Sequence, residues 1–171
     1  MRKQAGFSIL ELLIAVGIII IVAAIAIPSL LKARVAANEA SAVGSLRAIN
    51  SAQIGYLQVY PDMGSYACQL SYLGPPLAGG PVNSTAADLI DVQLSSGMKS
   101  GYSFYMTCTP PAVNGTTGYE VQTAPTGASI TGSSCGTNSG RCFFTNSSGG
   151  VYQMNGPGST NGTSFSLSPL S

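Results

Sequence analysis

The sequence predicts an α+β fold: a long N-terminal, partly transmembrane α-helix packed on a small antiparallel β-sheet head. One observation is an apolar run, because the twenty residues from Leu12 to Leu31 include no ionisable side chain. The other is a C-terminal half in which short alternating apolar and polar runs are separated by turns rich in Gly, Ser and Asn. A helix followed by consecutive strands is typical of α+β proteins, in which the strands form an antiparallel sheet.

The apolar run is long enough to cross a membrane, since twenty helical residues rise about 30 Å. Glu11 lies at its start. An acidic side chain inside a spanning helix costs roughly 2.5 to 3.5 kcal/mol on insertion scales, so it usually has a function and a partner. Two basic residues flank the run on each side: Arg2, Lys3, Lys32 and Arg34. We therefore expect the partner of Glu11 to be the leader, another molecule or a new chain terminus.

The region around Gly6 carries several features together. A short basic leader ends at Gly6, Phe7 follows, Glu11 is the fifth residue after the glycine, and the apolar helix contains Pro28. From Arg2 to about Leu31 this combination resembles the N-terminus of a type IV prepilin. The resemblance implies that residues 1–6 are a leader and that a prepilin peptidase cuts between Gly6 and Phe7. It also implies N-methylation of Phe7, and assembly through Glu11 and the Phe7 amine of a neighbouring subunit.

The resemblance implies a structural subunit of a type IV pilus, used for twitching motility, cell adhesion or DNA uptake. The precursor would be a single-pass protein of the bacterial inner membrane with a periplasmic C-terminus, and the mature subunit would lie in an extracellular fimbrium. The implied partners are other copies in a helical homopolymer, minor pilins, the prepilin peptidase, an inner-membrane platform and a motor ATPase.

Other classes of protein share parts of this pattern. A secretory signal peptide would use the small-x-small site at Ala24–Ala26, and a plain single-span anchor would keep Met1. A pseudopilin of a type II secretion system is the main rival, because it would share the leader, Glu11 and the long helix. Major pseudopilins have an acidic calcium-binding loop late in the head, but no Asp or Glu follows Glu120 here. A monomeric, membrane-anchored binding module is a further alternative.

The long helix is predicted from about Phe7 to Val59, ending before Pro61. Residues 7–31 form its transmembrane and filament-core half. Residues 32–60 form an amphipathic half, with one apolar stripe at Val43, Leu46, Ile49, Tyr56 and Tyr60 and with Asn38, Glu39, Ser45, Arg47 and Asn50 mostly elsewhere. Gly17 is expected to weaken the helix and Pro28 to kink it.

The remaining residues are predicted to form the head. Residues 61–100 are a loop region with one short helix, for which Thr85 and Asp88 resemble a capping box ahead of Leu89 to Leu94. Residues 101–171 form the antiparallel sheet, whose last two strands make a hairpin. Its four predicted strands are Tyr102 to Cys108, Tyr119 to Thr123, Arg141 to Thr145 and Val151 to Met154.

The cysteines indicate an oxidising compartment. An even number, Cys68, Cys108, Cys135 and Cys142, occurs in a small head rich in turn residues, which is typical of two disulfides. Three pairings are possible, of which we favour Cys68 with Cys108 and Cys135 with Cys142. Four buried thiols are an alternative. A zinc site is disfavoured, because the chain has no histidine and no C-x2-C pair.

Composition disfavours catalysis and nucleic-acid binding. The chain has no histidine, six acidic residues, seven basic residues and a net charge of +1. General acid and base chemistry usually needs a histidine or a close carboxylate pair, and nucleic-acid binding usually needs a basic patch. No phosphate loop, dinucleotide fingerprint or metal-ligand cluster is found in the sequence. We therefore expect a protein that is not an enzyme and that has no cofactor, no metal and no specific nucleic-acid partner.

Overall fold

The computed structural model describes residues 6–63, 65–76, 79–108, 118–131, 134–136 and 140–154. The chain divides into two compact units, Met1–Ala37 and Asn38–Ser171. Helix α1 spans Ile9–Val59, close to the predicted bounds, and belongs to both units. The predicted α+β architecture is confirmed, since this helix is followed by a five-stranded antiparallel sheet.

Helix α1 continues without interruption through Gly17 and Pro28. A proline inside a helix lacks the amide hydrogen for one backbone bond, so the segment around Pro28 is locally weaker than its neighbours. The expected kink at Pro28 stays a prediction. At the other end the last helical bond joins Tyr60 N to Tyr56 O, and Pro61 begins a short 3-10 turn, Pro61–Met63. The helix therefore stops where the sequence predicted.

Two short helices lie between α1 and the sheet. They are α2, Leu70–Leu73, and α3, Val92–Ser95. Asp91 is the N-cap of α3, and its side chain accepts a hydrogen bond from Leu94 N at 3.0 Å. This contact satisfies one of the free amide groups of the first turn.

The prediction of a helix starting at Thr85 to Asp88 is wrong. Asn83 Oδ1 accepts hydrogen bonds from the backbone N and the Oγ1 of Thr85, at 2.8 and 2.7 Å. An Asn side chain that binds the backbone two residues ahead stabilises a turn in place of a helix. Asp88 has a φ of 55°, which is incompatible with a right-handed helix. The capping function therefore falls on Asp91.

The main sheet has the strand order β1-β2-β3-β6-β7, and all neighbouring strands are antiparallel. Its strands are β1 Met98–Lys99, β2 Tyr102–Cys108, β3 Tyr119–Pro125, β6 Cys142–Asn146 and β7 Val151–Met154. The four predicted strands correspond to β2, β3, β6 and β7, in the predicted order, and the β6–β7 hairpin is confirmed. Strand β1 was not predicted, and neither was the two-stranded sheet of β4 Ser129–Thr131 and β5 Ser134–Gly136.

One face of the sheet packs on the second half of α1. Helix residues Leu46, Ile49 and Tyr56 are buried in the same cluster as sheet residues, while Val43 and Tyr60 are partly buried against it. The sheet contributes Tyr102, Phe104, Tyr119, Val121, Phe143 and Val151. The predicted apolar stripe of the helix is therefore confirmed as the contact surface.

The opposite face of the sheet carries a second, smaller core. Ala124, Cys142, Phe144 and Met154 are buried there, with Ala128 and Tyr152 packed against them. Successive side chains of a strand point to opposite faces, so Phe143 joins the core on α1 and Phe144 joins the second core. The aromatic rings of Phe144 and Tyr152 stack with centroids 5.1 Å apart.

Candidate functional site: the N-terminal segment and its head

The Gly6–Phe7 bond lies just before α1 begins. Gly6, Phe7 and Ser8 are not helical, and all three are exposed. The Phe7 side chain is 80% exposed. A peptidase needs an accessible backbone outside regular helix, and this short segment is exposed and not helical. The remainder of the predicted leader, residues 1–5, lies outside the described residues.

Glu11 occupies the first turn of α1. Its side chain is exposed, and in the described part of the chain it forms no salt bridge. The N-terminus of a helix carries a partial positive charge, so an acid in the first turn is favourable there. In the sequence from Phe7 to Leu31, Glu11 is the single ionisable side chain.

The first half of α1 presents an apolar surface in all directions. Its large apolar side chains are Ile9, Leu10, Leu12, Leu13, Ile14, Val16, Ile18, Ile19, Ile20, Ile21, Val22, Ile25, Ile27, Leu30 and Leu31, and all are exposed, as is Phe7 just before the helix. By length and composition α1 is able to cross a membrane, and it is the one helix in the described residues that meets this test. A helix that is apolar on all sides is typical of a membrane span or of the interior of an assembly.

Gly17 lies within this exposed apolar half of α1. A Cβ added there would meet no atom of the described chain within 4 Å, so no contact inside this chain requires a glycine. Glycine lowers helix stability by about 1 kcal/mol relative to alanine. Gly17 and Pro28 are therefore two weak points in an otherwise continuous helix, and their functional role stays a prediction.

Sequence reasoning missed a polar series on the buried face of α1. Glu39, Ser45, Asn50 and Gln53 are buried, although Glu39, Ser45 and Asn50 were expected mostly outside the apolar stripe. For Glu39 and Gln53, the sequence did contain a signal of burial. Glu39, Ala42, Leu46, Ile49, Gln53 and Tyr56 follow each other at alternating spacings of three and four, which places them on one helical face.

Glu39 forms a salt bridge with Arg141, the residue before β6. The Arg141 guanidinium donates to Glu39 Oε2 from Nη2 at 2.6 Å and from Nε at 2.9 Å, and its backbone N donates to Oε1 at 3.1 Å. Hydrogen bonding to Glu39, followed by the attraction of its charge, raises the pKa of Arg141. The pair joins α1 to the sheet inside the second unit.

Asn50 is the centre of a buried hydrogen-bond network. It donates to Thr145 Oγ1 at 2.8 Å and to Gly149 O at 2.9 Å, and it accepts from Tyr119 Oη at 2.8 Å. Burial, followed by the nearby Tyr66, raises the pKa of Tyr119 to about 12. Thr145 Oγ1 also bonds Gly150 O at 2.7 Å. Each polar group in this network therefore has a partner, as burial requires.

The predicted Cys68–Cys108 disulfide is present, with a Cα–Cα distance of 5.2 Å. Cys142 is also disulfide-bonded. The predicted partner of Cys142 is Cys135, whose side chain lies outside the described residues. Disulfides are typical of proteins that fold outside the cytoplasm.

Metal ligands do not cluster in the part of the chain that the structure describes. No group of three or more His, Cys, Asp or Glu side chains occurs there in a position to hold a metal ion. Asp91 pairs with Lys99 at 2.6 Å on the surface, and this hydrogen bond is the main reason for the lowered pKa of Asp91.

Comparison with known proteins agrees with this geometry. A family model described as the prokaryotic N-terminal methylation motif matches residues 1–27. This motif is the type IV pilin and pseudopilin signature, and the chain carries it at its first residues. Comparisons with curated proteins and with solved structures found no match. The motif, the apolar helix and the α+β head together support the pilin or pseudopilin class, and the apolar helix fits a membrane-anchored precursor.

Proposed function

We propose that this protein is the structural subunit of a type IV pilus, cut after Gly6 and assembled into a helical filament through the first half of α1. The observation that carries the proposal is the exposed apolar surface that begins at Phe7 and contains one carboxylate, Glu11. A lone subunit in water could not keep such a surface exposed. It needs a membrane first and other copies of the same helix afterwards.

The cut gives Glu11 its partner. Removing residues 1–6 creates an amine on Phe7, four residues before Glu11, and the same enzyme would methylate that amine. In a bundle of apolar helices, an unpaired charge is costly, so the amine of one subunit and the Glu11 carboxylate of the next are driven together. This pairing fixes the axial offset between subunits, because a different offset leaves both charges unpaired.

Burial of the apolar half stabilises the filament. At about 1.5 to 3 kcal/mol per fully buried large apolar side chain, a helix with this many gains on the order of tens of kcal/mol relative to water. Relative to lipid the gain is small, because lipid tails are also apolar. Extraction from the membrane therefore needs a motor ATPase and an inner-membrane platform as partners, with minor pilins as further partners. The proposed role is structural and not enzymatic.

A pseudopilin of a type II secretion system is the second candidate, because the methylation motif is common to both classes. The positions of the acidic residues favour a pilus subunit over a pseudopilin. A late calcium-binding loop needs several carboxylates, and the chain has no Asp or Glu after Glu120. Calcium would distinguish them, since a pseudopilin head should melt at a higher temperature with calcium and lose this gain with a chelator. We expect no calcium-dependent shift.

Processing and assembly are tested together in cells that produce the protein. N-terminal sequencing and mass spectrometry of the mature chain should show N-methyl-phenylalanine from Phe7 as the first residue. Filaments sheared from the cell surface should contain this chain. The variant Glu11→Gln should remain in the membrane and be processed, but the sheared fraction should contain much less of it.

Asp62→Asn is a matched control, because Asp62 is an exposed acid in the turn after α1 and its substitution removes the same charge. This variant should assemble like the unchanged protein. A mature chain that begins at Met1 or Ile27 would contradict processing after Gly6. Filaments of Glu11→Gln in normal amounts would contradict the role of the carboxylate.

A further inference from the structure

Gln53 connects α1 to both cysteine-bearing segments of the head. Its side chain is fully buried. Nε2 donates to Ala67 O at 2.8 Å, and Oε1 accepts from Ala67 N at 2.9 Å. Nε2 also lies 3.5 Å from the sulfur of Met106 in a hydrogen bond with β2. The amide of Gln53 therefore binds the Ala67 backbone as a neighbouring β-strand would.

The two residues that Gln53 contacts, Ala67 and Met106, both lie close in sequence to a cysteine of the Cys68–Cys108 disulfide. Ala67 immediately precedes Cys68, and Met106 is two residues before Cys108. Within a strand such a pair shares one face, so the Met106 contact fixes the strand that carries Cys108. Gln53 thus holds the backbone next to one sulfur and a side chain next to the other.

A second contact acts on the same geometry. The rings of Tyr66 and Tyr119 meet edge to face, with centroids 4.8 Å apart. Tyr119 is the partner of Cys108 in the register of β2 and β3. The two residues before Cys68 are therefore each held by a group outside their own loop, and none of these contacts is made by a cysteine side chain.

We propose that Gln53 is a positioning residue that brings Cys68 and Cys108 together before they are oxidised, and so selects this pairing among those that four cysteines allow. The loop that the bond closes is long, with a sequence separation of 40 residues. In an unfolded chain such a long loop brings its ends together less often than a short loop does. Selection of this pair therefore requires folded contacts, and Gln53 contacts residues within two positions of each cysteine, Ala67 and Met106.

The reaction is thiol–disulfide exchange with a small-molecule or protein disulfide as oxidant. The thiolate of Cys68, which is exposed, attacks one sulfur of the oxidant and releases one thiol, leaving a mixed disulfide. The thiolate of Cys108 then attacks the Cys68 sulfur and releases the second thiol. The protein loses two protons and two electrons, and the oxidant is reduced to two thiols. Gln53 takes no part in the exchange and acts by fixing the distance between the sulfurs.

This inference is independent of the proposed filament, because it concerns the folding of the head alone. The test uses the full chain in detergent micelles, equilibrated with mixtures of reduced and oxidised glutathione. Free thiols are trapped by alkylation, and each disulfide is quantified by mass spectrometry of its peptides. The measured quantity is the effective concentration of the Cys68–Cys108 pair. We expect Gln53→Leu to lower it by about tenfold or more, because two buried hydrogen bonds are lost.

The fraction of Cys142 that is disulfide-bonded distinguishes positioning by Gln53 from general destabilisation of the head. Positioning predicts that Gln53→Leu lowers the Cys68–Cys108 bond selectively and increases pairings of Cys68 or Cys108 with other cysteines. General unfolding would lower the bond at Cys142 by the same factor, and this result would overturn the proposal. Gln58→Leu, an exposed glutamine on the same helix, is the control and should leave both bonds unchanged. An unchanged effective concentration of the Cys68–Cys108 pair in Gln53→Leu would also overturn the proposal.

A measurement on the unchanged chain covers the case in which Gln53→Leu does not fold. With both disulfides reduced by a phosphine, the Ala67 amide should remain protected from hydrogen exchange, because Gln53 Oε1 still accepts its hydrogen. The Gln69 amide, on an exposed residue at the start of α2, provides an internal reference. If Ala67 exchanged as fast as Gln69 in the reduced chain, the contact would follow the disulfide and the proposal would be wrong.

Discussion

The carboxylate of Glu39 and the residue Arg141 are joined by three hydrogen bonds, although 102 positions separate them in the sequence. Glu39 is almost completely buried, while the Arg141 side chain is 54% exposed. A buried carboxylate with three donors is in a favourable geometry, because every donor points at the charged form. The pair ties one turn of α1 to the start of β6.

Removing the Glu39 carboxylate should destabilise the head. Glu39→Ala leaves the Arg141 amide without its acceptor, and we expect a loss of about 2 kcal/mol in the free energy of unfolding. The exposed guanidinium can turn to water, which keeps the loss below that of a fully buried pair. Urea unfolding at neutral pH in detergent measures it. Lys99→Gln removes the surface pair with Asp91 and serves as comparison, with an expected loss below about 1 kcal/mol. Equal losses would contradict a special role for Glu39.

The buried tyrosines predict a loss of stability in alkali. Burial, followed by the charge of Glu39, raises the pKa of Tyr102 to about 12, and burial raises the pKa of Tyr119 to about 12, from 10.0 for an exposed tyrosine. The folded state thus keeps the phenol protons longer than the unfolded state does. Their contribution to stability is complete below pH 10 and is lost as the pH rises from 10 towards 12.

Absorbance of tyrosinate in the near ultraviolet checks the two pKa values, and urea unfolding at a series of pH values checks the linkage. Tyr119→Phe should give a shallower decline of unfolding free energy above pH 10, because one proton fewer is released on unfolding. The same variant loses the bond to Asn50, so its stability at neutral pH should also be lower. A decline with the same slope in both proteins would contradict the assignment to Tyr119.

The Cys68–Cys108 disulfide should contribute strongly to stability. Closing a loop with a sequence separation of 40 residues restricts the unfolded chain by about 4 kcal/mol in the chain-entropy description. The variant with Cys68→Ser and Cys108→Ser should therefore unfold at clearly lower urea concentration than the oxidised protein. Treatment of the unchanged protein with reductant should lower its stability at least as much, since Cys142 is disulfide-bonded too. A double variant as stable as the oxidised protein would contradict this estimate.

The sequence predicted the helix and the four principal strands because each depends on a local or regular signal. The apolar stripe of Leu46, Ile49 and Tyr56 repeats at helical spacing, and β2 alternates with a period of two. The buried polar residues were missed because their partners are distant. Asn50 and Thr145 are 95 positions apart, and Gln53 on α1 binds Ala67 in the loop before α2.

Local signals also compete with each other. Thr85 and Asp88 have the spacing of a capping box, but Asn83 binds Thr85 in a turn, and a turn and a helix start exclude each other there. For the N-terminal segment, the residues that define the motif could be predicted from the sequence alone. What the helix surface contacts in an assembly depends on other chains, and no pattern within this one specifies it.

Two glycines predict opposite effects of the same substitution. Gly44 is an exposed position inside α1, and a Cβ added there would meet no atom of the described residues within 4 Å. Gly140 precedes Arg141 with a φ of 103°, and a Cβ there would lie 3.0 Å from Pro125 Cγ and 3.2 Å from the Tyr102 hydroxyl. Gly44→Ala should raise the stability of the isolated subunit by up to about 1 kcal/mol, since alanine favours helix.

Gly140→Ala should lower stability by more than about 1 kcal/mol, because alanine is strained at this φ and crowds two fixed side chains. Urea unfolding of both variants in detergent shows directly whether each substitution raises or lowers the free energy of unfolding. Their effect on assembly need not follow their effect on the subunit. Gly44 lies on the exposed face of α1, so if neighbouring copies pack against that face in the filament, Gly44→Ala would stabilise the subunit and still reduce the yield of sheared filaments. Stabilisation with normal filament yield would show that the face around Gly44 has room for a methyl group in the assembly.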